Sequence, residues 1–406
     1  QMKFTFKTLL IVSIIAVSAG FVSCSDDDDF TATIFDSDPS IDYLDKSLYT
    51  FPLDTICKKE FLEPYNLKFI YKMEDKGSDM NKNLTPATYD KSVDLAVLTK
   101  YLWYDIYKDV ASDEFLKENS PRIIHVIGSK NYNPSQGTET LGDASSGVKI
   151  NLYNVNNLDA SNITMMNQYF FKTMHHEFAH ILDQTHLRPT SFNTISNSNY
   201  DAAGWSDSPD SLKSGFGFVS SYASSAVAED WAECLSVFVT SDSISWNKLL
   251  NSASYEWEEV DCKTVNDYNK LIKPGCSLDT IGYFKEADNG ENKIYRRKCL
   301  RNADGSVSLD KDGNVQWIHE TGIDGRAVIL QKIDLVRNYL KEHYNINLDL
   351  LRREVQTHMY VTNEDGTFKV GRDGYLINKL VSVLPSGETL MDSLRQEVYK
   401  YKALQQ

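Results

Sequence analysis

The sequence predicts a protein of the α+β class, with its first strands placed before its longest helices. Three short segments have strand-like patterns, at residues 67–73, 122–128 and 148–153. They precede a long helical pattern over residues 163–185. Further helical patterns follow, interrupted by a turn-rich stretch at residues 256–323 that fits short hairpins. With 406 residues, the chain is long enough for one large domain or two smaller ones.

The first residues predict export and a lipid anchor. Lys3 and Lys7 precede an apolar run that ends at a serine and then Cys24, which is the arrangement of a lipoprotein signal peptide over residues 1–23. Cys24 would then be the lipidated residue, and a plain secretory signal with an incidental cysteine is the alternative. Residues 24–44 include four consecutive aspartates and would form an acidic tether. They resemble the export tag of surface lipoproteins in some Gram-negative bacteria.

The charge of the chain excludes some classes of partner. The sequence has 42 basic and 57 acidic side chains, and its formal net charge at pH 7 is −15. Such a charge disfavours nucleic acid and anionic membrane surfaces as partners. No later segment is long and apolar enough to span a bilayer. We therefore expect contact with a membrane only through the lipid at Cys24.

The rest of the chain is predicted to form one large domain over residues 45–358. The stretch 256–323 would be an insertion in it, and residues 359–406 a C-terminal extension with a hairpin and a polar helix. No internal repeat is evident in the sequence. Helical patterns cover residues 89–110, 115–119, 163–185, 229–240, 325–344 and 348–358.

Five cysteines remain after the proposed lipidation site, and none of them forms a C-x-x-C pair. A zinc site built from thiolates is therefore not expected. Cys262 and Cys276 are the most local choice for a disulfide in an exported protein, and the odd count leaves at least one thiol free. The pairing stays open among all five: Cys57, Cys234, Cys262, Cys276 and Cys299.

The long predicted helix contains the motif H-E-x-x-H at residues 176–180. His176 and His180 are one helical turn apart on the same face, so they can take two corners of a tetrahedral zinc site. Glu177 stands where zinc hydrolases have the general base. Strands followed by a helix with this motif predict a zincin-like metallopeptidase fold. The strand at 148–153 would be its open edge, on which an extended substrate could pair.

A catalytic zinc needs a third protein ligand, and Glu229 is the first candidate. It begins E-D-W-A-E on the next predicted helix, and a glutamate ligand from a following helix defines the gluzincin arrangement. Glu233, one turn later on the same face, could accept a hydrogen bond from the outer N–H of a ligand histidine. Tyr222, seven residues before Glu229, could donate to the oxyanion that forms when water attacks a carbonyl.

His186 is the second candidate for the third ligand. Its separation from His176 is that of the metzincin signature H-E-x-x-H-x-x-G-x-x-H. Asp183, however, occupies the position of the glycine, which is favoured there because the chain must leave the helix sharply. The methionine turn of metzincins is also missing, since no methionine occurs between residues 174 and 359. The residues therefore favour the glutamate, and His186 remains the alternative.

Several segments together resemble a known family. They are H-H-E-F-A-H-I-L from residue 175, G-F-V-S-S-Y-A from residue 217, A-E-D-W-A-E from residue 228, I-L-Q-K-I-D-L-V-R-N-Y-L from residue 329 and I-N-L-D-L-L-R from residue 346. In combination they look like the "putative zinc-binding metallopeptidases" described as substrate import-associated zinc metallohydrolase lipoproteins, over residues 45–358 except the insertion. The spacing from Tyr222 to Glu229, followed by W-A-E, is also similar to the catalytic domain of anthrax lethal factor. There the matching tyrosine and first glutamate lie at the zinc.

The resemblance implies a gluzincin-like enzyme with one catalytic Zn²⁺ held by His176, His180 and Glu229, with Glu177 as the base and Tyr222 at the oxyanion. It implies hydrolysis of a peptide or protein substrate by an outer-membrane lipoprotein exposed at the surface of a Gram-negative bacterium. A TonB-dependent nutrient importer of that membrane is the expected partner. The alternative of another class is an accessory lipoprotein that binds peptide or glycan, with a non-catalytic zinc. Hydrolysis of a non-peptide amide is a third reading.

Overall fold

The computed structural model describes residues 44–73, 84–133, 138–140, 142–145, 149–260, 283–288 and 291–405. The predicted signal peptide at 1–23, the lipidation site Cys24 and nearly all of the tether at 24–44 lie outside these residues. So do Cys262 and Cys276, the pair suggested for a disulfide. Cys57 and Cys234 are free thiols.

Helices form most of the described structure. In chain order the α-helices are α1 Phe51–Ile56, α2 Glu63–Tyr65, α3 Tyr89–Thr99, α4 Asp105–Val110, α5 Asp113–Asn119, α6 Ile163–Met166, α7 Lys172–Thr185, α8 Thr190–Ile195, α9 Asp210–Ser214, α10 Val227–Thr240, α11 Ser243–Ala253, α12 Gly325–Tyr344, α13 Leu348–Met359 and α14 Leu390–Tyr399. Within the described ranges, none of the helices has the length and apolar character needed to cross a membrane. The strands are β1 Lys68–Ile70, β2 Ile123–Val126, β3 Asn131–Asn133, β4 Thr138–Thr140, β5 Gly142–Ser145, β6 Lys149–Leu152, β7 Trp257–Val260, β8 Tyr283–Asp288 and β9 Glu291–Arg297.

The main sheet has the strand order β1-β2-β6-β5. Strands β1, β2 and β6 are parallel, with Ile124 of β2 opposite Ile150 of β6. Both isoleucines have no exposed surface, as expected for parallel strands covered by helices. The strands predicted at 67–73, 122–128 and 148–153 thus correspond to β1, β2 and β6, and the mixed helix-and-sheet class is confirmed.

The prediction that residues 148–153 form an open edge is wrong. Strand β5 pairs antiparallel with β6, with Gly142 opposite Leu152 and Ser145 opposite Lys149. The stretch that contains β5 has the composition of a turn, so its strand depends on backbone pairing and not on a side-chain pattern. Among the described residues, β5 is therefore the last strand on this side of the sheet.

The helix predicted over residues 163–185 is confirmed. Helix α6 passes through a π-helical turn at Asn167–Phe171 into α7 without a break. Phe178 anchors one face of α7 in the core and has no exposed surface. Its ring lies 4.8 Å from the ring of Trp103 and 5.1 Å from that of Tyr107, in both cases edge to face. This aromatic cluster fixes the rotation of α7 about its axis, and so the direction of its other face.

The hairpins expected within 256–323 are present in the described part of that stretch. Strands β7, β9 and β8 form an antiparallel sheet in that order. Glu256 receives hydrogen bonds from Lys298 and from the backbone N–H of Thr321, so both ends of the stretch are held together near α12.

The structure contains an internal repeat, contrary to the expectation from the sequence. Backbone bridges join Cys299 to Trp317, Arg301 to Val307 and Leu309 to Val315. Starting 61 residues later (299 to 360), the same bridges join Tyr360 to Asn378, Thr362 to Phe368 and Val370 to Leu376. The matching feature of both copies is an Asp-Gly turn that occurs twice in each, with φ between +81° and +83° at Gly305, Gly313, Gly366 and Gly374. The side chains between the turns differ, which hides the repeat in the sequence.

The C-terminal extension packs against the N-terminal part of the domain. Arg395 of α14 makes two hydrogen bonds to Asp94 of α3, with N–O distances of 2.7 and 3.0 Å. The carboxylate of Asp94 is almost fully buried, whereas Arg395 is one-third exposed.

Replacement of Phe178 tests the role of the aromatic cluster. We expect Phe178→Ala to lower the free energy of unfolding by about 3–5 kcal/mol, because it leaves a cavity in a closely packed core. Chemical denaturation measures this change. The matched control is Gln184→Ala, at an exposed position of the same helix, which should change stability by less than about 0.5 kcal/mol. Equal effects of the two variants would contradict this account of the core.

Candidate metal centre

Helix α7 presents His176 and His180 on the face opposite Phe178. Their rings are 4.8 Å apart, centroid to centroid, and their Nε2 atoms are 3.1 Å apart. His176 is almost fully buried, and the side chain of His180 is about one-fifth exposed. The i, i+4 spacing therefore directs both Nε2 atoms to one point at the surface of the helix, as the sequence predicts.

Helix α10 packs against α7 and carries the glutamate predicted as the third ligand. Glu229 lies in the first turn of α10, where the helix dipole favours a carboxylate. Its Oε2 is 3.0 Å from Nε2 of His176 and 3.4 Å from Nε2 of His180. Among the described residues, His176, His180 and Glu229 form a cluster whose ligand atoms all lie within 4.8 Å of one another.

The geometry of these three atoms fits zinc. Ligands of a tetrahedral zinc at about 2.0–2.1 Å are separated from each other by roughly 3.3–3.4 Å. The observed separations of 3.0, 3.1 and 3.4 Å form a nearly equilateral triangle close to that size. Two imidazoles and one carboxylate are donors that zinc prefers, and three protein ligands leave a fourth position for water.

Glu233 orients His176. Its Oε1 accepts a hydrogen bond from Nδ1 of His176 at 2.9 Å, which leaves Nε2 of that ring available to a metal. Its Oε2 accepts from Ser220 Oγ at 2.5 Å and from Lys172 Nζ at 2.8 Å. Burial would raise the pKa of Glu233, but the charge of Lys172 and the contact with His176 lower it to about 2. Glu233 is therefore an anion in the interior.

The electrostatics of the cluster favour a cation. Burial would lower the pKa of His176, but its hydrogen bonds to Glu229 and Glu233 raise it to about 9. Burial would raise the pKa of Glu229, but contacts with His176 and His180 hold it well below its usual range. The site therefore has negative charge at the point where the two imidazoles converge.

Glu177 and Tyr222 are close to the same point. Glu177 is buried and interacts electrostatically with both His176 and Tyr222. The Tyr222 ring lies 5.8 Å from the ring of His176, and its hydroxyl interacts electrostatically with Glu229. Tyr222 is 37% exposed. Partial burial of its hydroxyl, together with Glu229, raises the pKa of Tyr222 above its usual range, so the phenol keeps its proton at neutral pH. Trp205 packs edge to face on Tyr222 at 4.9 Å.

His186 lies elsewhere. Its ring stacks on His343 at 4.7 Å, and its carbonyl oxygen accepts a hydrogen bond from Tyr339 at 2.6 Å. Helix α7 continues past Asp183 to Thr185, so the chain does not leave the helix where a metzincin would. Asp183 instead accepts hydrogen bonds from the backbone and side chain of Arg188.

The neighbouring His175 belongs to the core. It points about 100° away from His176 on the helix and has no exposed surface. Its Nδ1 is 3.0 Å from the hydroxyl of Tyr107, and burial lowers its pKa to about 3. It therefore stays neutral and contributes packing.

Ser220, Lys172 and Trp205 are residues at the site that the sequence reasoning missed. Lys172 lies four residues before His176, one turn away on the same helix face. This spacing could have predicted that Lys172 lies near the site. Ser220 lies two residues before Tyr222, but its contact with Glu233 depends on how the loop folds back. Nothing in the local pattern indicated Trp205.

The fold and the site define a class of protein: a mixed helix-and-sheet protein in which two histidines and a glutamate could hold a metal ion. The profile of a family described as "Putative zinc-binding metallo-peptidase" matches residues 47–349, and the chain belongs to that family. A crystal structure described as a "putative zinc-binding metallo-peptidase from Bacteroides caccae ATCC 43185" is similar, with a TM-score of 0.53 and 28% sequence identity. That similarity covers 80% of this chain and 94% of the other. A comparison with curated proteins found no match.

Removal of the glutamate tests the third ligand. We expect Glu229→Ala to weaken zinc binding by more than about 100-fold, beyond the range typical of residues that only orient a ligand. Metal analysis of the purified protein and competition with a chelator measure this. The control is His186→Ala, which should keep its zinc. Loss of zinc in His186→Ala, with retention in Glu229→Ala, would make His186 the ligand.

Neutralisation of Glu233 tests the orientation of His176. Glu233→Gln keeps the size of the side chain but removes the charge that holds Lys172 and the Nδ1–H of His176. We expect zinc affinity to fall about 10- to 100-fold while the protein stays folded. The same chelator competition provides the number, and an unchanged affinity would contradict the role of Glu233.

Proposed function

We propose that this protein is a zinc-dependent metallohydrolase of the zincin-like, gluzincin type, and that it hydrolyses peptide bonds. The observation that carries the proposal is the convergence of His176, His180 and Glu229 beside the buried carboxylate of Glu177. A zinc site with a purely structural role would not need an acid at that position. Membership of a zinc-binding metallo-peptidase family supports the same reaction class.

Different residues of this chain would bind the metal, act as the general base and stabilise the oxyanion. His176, His180 and Glu229 would hold one zinc ion, which would polarise a substrate carbonyl and lower the pKa of water to about 7. Glu177 accepts the proton of the attacking water and delivers it to the leaving amine. The Tyr222 hydroxyl donates to the oxyanion that develops on the substrate carbonyl.

An extended substrate would pair with β5. Strand β5 is the last described strand of the sheet on that side, and it packs near α7. A peptide added there would run beside the motif helix, with its backbone hydrogen-bonded to the sheet. The substrate would therefore add to β5 and not to β6, whose edge is already paired with β5.

The proposed place of action is the outer surface of a Gram-negative bacterium. The lipoprotein-type signal, Cys24 and the aspartates after it support this location, as does the resemblance to importer-associated lipoproteins. Peptides released there could be passed to a TonB-dependent importer of the outer membrane.

The general base provides the decisive experiment. We expect Glu177→Gln to retain its zinc and to lose nearly all activity on a mixed peptide library analysed by mass spectrometry, because the amide cannot accept the proton of water. Glu342→Gln makes the same chemical change at an exposed position and should leave activity unchanged.

Three other outcomes would change the proposed mechanism, function or substrate class. Hydrolysis that persists in Glu177→Gln contradicts the mechanism. A zinc-loaded wild type without activity on peptides would favour the accessory lipoprotein that binds peptide or glycan. Activity on other amides, lost in Glu177→Gln, would change the substrate class and leave the mechanism intact.

A further inference from the structure

A buried ion pair lies behind the metal centre. The side chains of Asp230 on α10 and Lys332 on α12 have no exposed surface, and Lys332 Nζ is 2.7 Å from Asp230 Oδ2. Tyr200 donates a hydrogen bond to the same carboxylate at 2.8 Å. Lys332 also donates to the carbonyl oxygen of Gly217 at 2.8 Å. Asp230 directly follows the candidate ligand Glu229, so the pair connects the metal centre to α12 and to the loop at Gly217.

Stability alone does not explain this pair. Removing two charges from water is energetically costly, and buried pairs are often no more stabilising than apolar side chains of similar size. The ammonium of Lys332 also lies 4.3 Å from the ring of Phe218, in the same loop. Besides Asp230 and the ring of Phe192 at 5.9 Å, Lys332 thus contacts two adjacent residues, Gly217 and Phe218, at the start of the segment 217–222.

Helix α10 holds that segment at three points. Tyr222 lies against His176, with its ring 5.8 Å from the imidazole, and interacts electrostatically with Glu229. Glu233 accepts a hydrogen bond from Ser220, and Asp230 reaches Gly217 through Lys332. The three acids lie within five residues of the helix, and their partners lie within six residues of the loop.

The loop also packs closely on α12. Gly217 has φ +87°, and a Cβ there would lie 2.2 Å from Val328 Cγ1, one turn before Lys332. A side chain at Gly217 would therefore push the loop away from the lysine. Gly217 and Lys332 together fix the position of the start of the segment, five residues before Tyr222.

We propose that Lys332 is a positioning residue: by joining Asp230 to the Gly217 carbonyl, it holds residues 217–222 against α10 and places the Tyr222 hydroxyl beside Glu229. The consequence for catalysis rests on the proposed function, in which Tyr222 donates to the oxyanion. The structural part of the proposal does not depend on catalysis.

Hydrogen exchange of the full chain, before and after zinc removal by a chelator, tests the structural part. The double variant Asp230→Asn/Lys332→Met removes both charges and keeps the side-chain sizes, so we expect it to remain folded. Amides of residues 217–225 should exchange about tenfold faster than in the wild type, while those of β2 stay protected. The control is Asp94→Asn/Arg395→Met, which removes both charges of a partly buried ion pair far along the chain. Unchanged exchange at 217–225, or equal loss of protection in β2, would overturn the proposal.

A double-mutant cycle in kcat tests whether Lys332 acts through Tyr222. Tyr222→Phe should lower kcat about 100-fold, as expected for one oxyanion donor. The charge-free double variant should lower kcat with little change in KM, but should have almost no further effect in the Tyr222→Phe background. Effects that multiply would show that Lys332 does not act through Tyr222. Persistent activity of Glu177→Gln would instead contradict the proposed function, and the exchange result would stand by itself.

Discussion

The register between α7 and α10 is the constraint on which the rest of the site depends. Each helix contributes two functional side chains at i and i+4, and His176 lies between the two glutamates of α10, 3.0 Å from Glu229 and 2.9 Å from Glu233. A slip of one residue in either helix would rotate these groups by about 100°. Phe178 on α7 and Trp231 on α10 face the opposite way into aromatic packing, which opposes such a rotation.

The same register of α7 and α10 also determines which partners the acidic side chains of α10 meet. The first two turns of α10 carry three acids, and repulsion among them would be costly in a buried position. Two of the acids have a lysine as partner, Lys172 for Glu233 and Lys332 for Asp230. Glu229 instead faces the two histidines and any metal that they hold. A dication at the histidines would therefore complete a pattern of compensation that the protein has already built for the other two carboxylates.

The sequence predicted what depends on local spacing. The i, i+4 pairs, the helix over residues 163–185 and the strands β1, β2 and β6 follow from periodicity within a single segment. The partners of those residues depend on tertiary packing, so the contact of Ser220 with Glu233 and the strand β5 were missed. The repeat was missed for another reason. The two copies share the backbone conformation of their Asp-Gly turns, but the side chains between the turns differ, as Leu309 in the first copy and Val370 in the second.

The end of α7 decides between the two possible third ligands. A histidine ten residues after His176 can reach the same ion only if the chain turns back sharply after the second histidine. Asp183 keeps helical geometry and binds Arg188, and the helix continues to Thr185. His186 then starts an extended segment and stacks on His343 of α12, so the third position is left to Glu229. The geometry at this helix end therefore favours a ligand set that includes Glu229 over one that includes His186.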